Sequence, residues 1–312
     1  LVLPVPWEVT VSYRAGTAGG PEAIMEASRQ LDLHDAVLGE AWREGVAMLP
    51  EREEWRRRGA LMRKQAMAYI EFLEQGGDMT NRVMAPLAQE VNEACQELNQ
   101  QVKLLALEHL KQGKTLAVLG GDHSTPLGLL QALEEQGQAF GILQIDAHAD
   151  LRTAYEGFKW SHASIMHNAL ELNQVERLVQ VGIRDYCAEE VAVQHSDERV
   201  RLFSMQQLEA AAFELVGWRD QCQRIIAELP DLVYISFDID GLEPHLCPGT
   251  GTPVPGGLSY NQAAYLVQQV VLSGKRVIGF DLCEVSPSSE WDAIVGARLL
   301  FQLCQAALAS RA

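Results

Sequence analysis

Phe140-Gly141-Ile142-Leu143-Gln144-Ile145-Asp146-Ala147-His148-Ala149-Asp150 decides the fold class. Its first six residues make a short, almost wholly apolar run of strand length, which stops abruptly at ligand-type side chains. A strand apolar on both faces is buried on both faces, as in a parallel sheet covered by helices. Working outward, similar runs are predicted as strands at Thr115–Leu119, Arg177–Ile183, Val200–Phe203, Leu232–Phe237 and Arg276–Leu282. Helical patterns lie between them, near Ser161–Glu171, Gln206–Glu228, Tyr260–Ser273 and Ala293–Ala309. The alternation predicts a three-layer α/β/α fold with a mainly parallel central sheet.

Upstream, Gly20-Pro21-Glu22-Ala23-Ile24-Met25 opens a helix, since proline fits the first helical position and glutamate the first turn. Residues from about Glu53 to Gln75 and from about Leu87 to Gln112 repeat apolar positions at three and four, which predicts an additional helical pair at about 53–112. There is no internal repeat, low-complexity segment or Pro/Ser-rich linker. Gly76-Gly77-Asp78 is the only break, and it is short, so residues 1–312 are read as a single domain.

Composition narrows the function. Hydrophobic residues make up 47% and charged residues 21%, an ordinary globular balance. No uninterrupted apolar run reaches the ~20 residues of a membrane span. The formal charge of −17 repels nucleic acid and anionic membrane surfaces, so neither is an expected partner. Six scattered cysteines without a CxxC pair predict reduced thiols and a cytoplasmic protein. The chain begins Leu1-Val2-Leu3-Pro4 without methionine, so a few preceding residues are expected; no basic region followed by a long apolar core is visible.

Three strand ends carry the candidate chemistry, where parallel sheets collect ligands. Gly120-Gly121-Asp122-His123-Ser124 turns sharply off one strand and presents His123. By itself such a turn is common. Asp146, His148 and Asp150 alternate with alanines, and extended backbone would aim all three at one face. Asp238-Ile239-Asp240-Gly241 again places two acids at i and i+2. Clustering carboxylates and imidazoles at buried strand ends is costly without a compensating cation. The four carboxylates and two imidazoles suit two divalent ions with bridging carboxylates, and four negative charges balance two dications. Oxygen and imidazole donors without thiolate favour Mn²⁺, with Ni²⁺, Co²⁺ or Fe²⁺ as alternatives. Two such ions ~3.5–4 Å apart acidify a bridging water, which predicts hydrolysis.

In this order the three motifs, the last being Ser236-Phe237-Asp238-Ile239-Asp240-Gly241-Leu242-Glu243-Pro244, resemble those of the ureohydrolase family of arginases, agmatinases and formimidoylglutamases. Pro248-Gly249-Thr250-Gly251-Thr252-Pro253, Gly256-Gly257-Leu258, Asp281-Leu282-Cys283-Glu284-Val285-Ser286-Pro287, Tyr13-Arg14-Ala15-Gly16 and Gly20-Pro21 extend the resemblance over nearly the whole chain. It implies an arginase-like fold, with Asp146 and Asp238 bridging two metals. His123 and Asp150 would complete one metal's shell and His148 and Asp240 the other's, with Asp150 also orienting the water. Glu284 matches the guanidinium-binding carboxylate, and a planar cation does call for a carboxylate partner. His162 matches the histidine that passes a proton to the leaving amine. Trimers or hexamers are implied as well.

Arginases read the amino-acid end of their substrate through an Asn- and Ser-rich loop. The stretch Leu151–Trp160 lacks that pattern and resembles agmatinases, so agmatine or an N-extended agmatine, in polyamine metabolism, is preferred over arginine. Guanidino acids, guanidine and formimidoylglutamate are alternatives, and a non-catalytic metal-binding scaffold is the competing class. Arg152 and Lys159 are candidates to meet a substrate carboxylate or else are solvated surface charges. Glu243 and Ala163 depart from the commoner Asp and Gly, which predicts altered loop packing. His245 and Cys247 are expected to face solvent or core.

Overall fold

The computed structural model describes residues 1–311. Seven strands form one all-parallel sheet: β1 (Val2–Val5), β2 (Leu116–Gly120), β3 (Phe140–Ile145), β4 (Val175–Val181), β5 (Val200–Phe203), β6 (Leu232–Asp238) and β7 (Arg276–Cys283). Their spatial order is β1-β2-β7-β6-β3-β4-β5. Ten α-helices among the described residues cover the two faces: α1 (Gly20–Ala27), α2 (Glu53–Glu74), α3 (Ala85–Leu110), α4 (Leu127–Glu134), α5 (Ile165–Leu170), α6 (Ala188–Ser196), α7 (Met205–Phe213), α8 (Trp218–Ala227), α9 (Tyr260–Leu272) and α10 (Glu290–Ala309).

Alternation along β3 shows why the run carries apolar residues on both faces. Phe140 and Ile142 join the core beneath α2, α3, α4 and α5, whereas Leu143 and Ile145 join the core beneath α8, α9 and α10. The single α/β domain therefore has a hydrophobic layer on each side of one sheet. α10 has the length and mean hydropathy of a membrane span, but two thirds of it is buried inside the protein, as a core helix.

Three local expectations are corrected. β1 is an additional strand: Pro4 lies within it, which only an edge position tolerates, and Val2–Val5 pairs with Ala117–Gly120. The stretch 206–228 is two helices, α7 and α8, parted where Leu215 adopts φ 65° and Gly217 follows. Extended geometry does not continue through Asp150. β3 ends at Ile145, and Asp150 sits at φ 54°, in the left-handed region. Asp240 likewise lies in a single 3-10 turn after β6, not on the strand.

Candidate active site

Four neighbouring strands, β2, β7, β6 and β3, deliver their carboxyl ends to one place. The loops beyond them carry His123, Glu284, Asp238 with Asp240, and Asp146 to Asp150. Close packing of these loops leaves no room for side chains at key positions. A Cβ on Gly121 would meet the Trp7 carbonyl oxygen at 2.0 Å, and one on Gly241 would meet the Asp146 nitrogen at 2.7 Å. Glycine therefore lets the first and third motifs press against their neighbours.

The predicted ligands do converge. His123 Nδ1 lies 3.0 Å from Asp146 Oδ2, 3.0 Å from Asp150 Oδ2 and 3.4 Å from Asp238 Oδ2. Despite that proximity it makes no well-aligned hydrogen bond. His148 Nδ1 lies 3.1 Å from Asp240 Oδ2 and 3.7 Å from Asp146 Oδ1. Two compact donor groups result: His123, Asp146 and Asp238, and Asp146, His148 and Asp240. Asp146 belongs to both. All are buried except His148, which is partly open to the cleft.

Electrostatics reflect this crowding. Burial, then repulsion from Asp240 and Asp146, pushes Asp238 well above the usual carboxylate range. Burial and the Asp146 charge raise Asp150 to about 7. Burial alone would raise Asp146, but the adjoining imidazoles of His123 and His148 outweigh it and hold Asp146 low. Burial opposes charge on both histidines, yet the surrounding carboxylates raise both well above the ordinary imidazole value. An orphaned buried nitrogen facing three carboxylate oxygens, beside a second group that shares one acid, fits a pair of divalent cations.

Glu284 directly follows β7 at φ 62°, a left-handed conformation unusual for a side-chain-bearing residue. Its nitrogen donates to Gly121 O at 2.8 Å, and its Oε1 accepts from His123 N at 3.0 Å. Burial and the neighbouring Asp122 push it well above the ordinary range. A cation arriving at its free oxygen would relieve that cost.

His162 lines a cleft of about 140 Å³ together with Ser12, His148, Asp150, Tyr155 and Thr252. Burial and the nearby His148 push His162 down to about 3. Tyr155 meets its ring edge to face, with centroids 6.1 Å apart. Arg152 also lines this cleft, stacked over Tyr155 at 4.8 Å. Lys159 does not; it lies over Trp160 at 4.7 Å, 3.7 Å from Glu171. His245 is exposed and Cys247 is in the core, as expected. A larger groove of about 570 Å³ between α2 and α3 contains none of the candidate ligands.

Several supporting residues escaped the sequence reading. Gln144 donates to Asp146 Oδ2 at 2.8 Å and to His148 O at 3.1 Å, while Gln180 donates to Gln144 Oε1 at 2.7 Å. Ser236 Oγ lies 2.9 Å from His123 Nε2, with Asp281 Oδ1 at 3.7 Å. Arg184 gathers the carbonyls of Asp240, Leu242 and Val254. The available signal was a polar side chain interrupting a buried apolar strand, as at Gln144, Gln180 and Ser236.

The architecture is that of a hydrolase acting on amidino C–N bonds. The chain belongs to the arginase family, whose model matches residues 1–308. It is 34% identical over 302 residues to an N(1)-aminopropylagmatine ureohydrolase of Thermus thermophilus, spanning 96% of this chain and 87% of that relative. It is 30% identical over 311 residues to an agmatinase of Proteus mirabilis, spanning 97% and 85%. The crystal structure of an agmatine ureohydrolase of Thermoplasma volcanium superposes with a TM-score of 0.72 at 24% identity, covering 98% of this chain and 88% of that one.

Proposed function

We propose that this protein hydrolyses agmatine or an N-extended agmatine to urea and an amine, within polyamine metabolism. The observation that carries the reading is the pair of donor groups sharing Asp146 at the ends of adjacent strands. The relatives named for agmatine and aminopropylagmatine support the substrate class.

In this reading Asp146 and Asp238 would serve both cations, with His123 and Asp150 on one side and His148 and Asp240 on the other. Mn²⁺ is the proposed ion, because the donors are oxygen and imidazole. When bound, the ion pair supplies Lewis acidity and an acidified water for attack on the guanidinium carbon. Glu284 binds the guanidinium of the substrate through a charge-assisted pair, which offsets the cost of its own burial. Asp150, whose carboxylate faces His123, would orient that water by accepting a hydrogen bond. His162, kept neutral by its surroundings, faces the leaving nitrogen and manages its proton. Glu284 and His162 thereby also form the substrate contacts.

The test is urea release from a panel of guanidino compounds, with Mn²⁺ or Ni²⁺ supplied to the chelator-treated protein. Agmatine or its aminopropyl derivative is expected to give the highest kcat/KM. Urea from none of the panel, or formamide from a formimino substrate, overturns the assignment. A cytoplasmic setting accords with six unpaired cysteines, five of them buried. A homotrimer or homohexamer is proposed with it, and light scattering reads the mass directly.

A further inference from the structure

His162 cannot act on a leaving nitrogen unless its ring is held in one orientation and one tautomer. The residue that meets the ring from outside the recognised motifs is Thr10, on the segment that follows β1. Thr10 is fully buried. Its Oγ1 accepts a hydrogen bond from the His162 backbone N–H at 3.3 Å and lies 3.4 Å from His162 Nδ1. Ser161 repeats the arrangement: its Oγ accepts from Ala163 N at 3.2 Å and lies 3.4 Å from the same Nδ1.

Each hydroxyl has one proton to give. Both already accept a backbone N–H, and among the described residues His162 Nδ1 is the only acceptor within reach of either proton. The single lone pair of Nδ1 takes one of these protons well; were Nδ1 protonated, neither buried hydroxyl proton would have an acceptor, at a cost that buried polar groups rarely bear. We infer that Thr10 is a positioning residue: it makes Nδ1 the acceptor, which leaves the ring proton of neutral His162 on Nε2. This rests on the role given to His162 above.

Thr10 is itself firmly placed. Arg63 of α2 donates through Nη1 to the carbonyls of Val9 and Val11, on either side of it. Asp122 N donates to Trp7 O at 2.8 Å, tying the same segment to the loop that carries His123. The helical pair outside the α/β repeat thus reaches the cleft through Arg63 and Thr10.

Nitrogen NMR of ¹⁵N-histidine protein loaded with diamagnetic Zn²⁺ reads the tautomer, with the His162 signals assigned by their loss in His162→Gln. Wild type and Thr10→Ser should show a single Nε2–H form. Because Ser161 offers Nδ1 a second donor, the decisive comparison is made in a Ser161→Ala background, where Thr10→Val should show a mixture or the Nδ1–H form, with kcat lowered about three- to tenfold, KM nearly unchanged and recovery in Thr10→Ser. If Thr10→Val does not fold, Thr10→Ala answers the same question. A hydroxyl-free variant that keeps both the wild-type tautomer and the wild-type kcat overturns the inference. Undiminished turnover in His162→Gln instead defeats the role given to His162, while the nitrogen shifts still decide the part played by Thr10.

Discussion

One carboxylate, that of Asp146, belongs to both donor groups, with Oδ2 directed at His123 and Oδ1 on the His148 side. Replacing it by asparagine keeps the shape but removes the negative charge and one acceptor oxygen. Losing a residue that only orients a ligand commonly costs 10–100-fold in affinity or activity, so Asp146→Asn should lower metal-dependent turnover by more than about 100-fold. Near-normal urea release with two metals per chain would remove Asp146 from its bridging place. Glu284→Gln separates binding of substrate from binding of metal. The glutamine oxygen still accepts from His123 N, but no charge remains for the guanidinium. Metal content should hold while kcat/KM for the best guanidino substrate falls about 100-fold. At this scale the sequence was most legible: the six candidate positions stand out because acids and imidazoles recur at three buried strand ends of one sheet, where the structure brings them together. Thr10 was not legible. A threonine between two valines carries no sign of the ring it will face from 152 positions away.

Between residues and molecule, the elements explain what was readable and what was not. β3 keeps the limits predicted for it, because a run buried on both faces has sharp ends, and β5 keeps its predicted limits as well, at the sheet edge. β1 was missed because Pro4 argues against a strand unless the strand is at an edge, and edge position is a property of the whole sheet. α7 and α8 were joined because Ala- and Glu-rich periodicity runs across Leu215, whose positive φ no local pattern announces. The polar ladder inside the sheet was hidden in the same way, since Gln144 and Gln180 looked like interruptions of apolar strands. Their pairing matters for function. Gln144→Leu keeps the volume, removes the donor to Asp146 Oδ2 and strands Gln180 Nε2 of one partner. Isothermal titration should find Mn²⁺ affinity about 10–100-fold weaker, and unchanged affinity would reduce the ladder to a packing device. The loop contacts give a stability counterpart. Gly121→Ala puts a Cβ against the Trp7 carbonyl oxygen at 2.0 Å, so the segment after β1 must part from the loop after β2. A loss on the order of 3 kcal/mol is expected from urea denaturation. An unmoved midpoint would show that these loops are not interlocked.

Across the whole molecule the site is a concentrated electrostatic liability in a chain already at −17, and its sign can be worked out. Asp150 is raised to about 7, so between about pH 4 and 7 the native state holds a proton that the unfolded chain has released. Stability from this group therefore falls as pH rises through that window. His123 and His148, raised above the ordinary imidazole value, contribute stability that is complete below about pH 6.5 and is lost as pH climbs through their folded values. Asp146, held low, acts in the opposite sense, but only below about pH 4, where its stabilisation is lost on acidification. Asp238 and Glu284, also raised well above the ordinary carboxylate range, act in the same sense as Asp150, so from pH 5 upward the raised groups pull in one direction and the chelator-treated protein should lose stability toward pH 8. Divalent cations take the place of those protons, so their affinity rises over the same range. At about 100 times the dissociation constant a bound ion adds roughly 2.7 kcal/mol, worth on the order of 4 °C in Tm for a chain of 312 residues. Thermal melts with Mn²⁺ and with chelator should therefore diverge widely at pH 8 and narrowly at pH 5. Asp150→Asn, which cannot titrate, should lessen the pH dependence of the chelator-treated melts, leaving the share of the other raised groups. Equal Mn²⁺ shifts at the two pH values would mean that protons and metal do not compete for these carboxylates, and the paired-cation site would go with them.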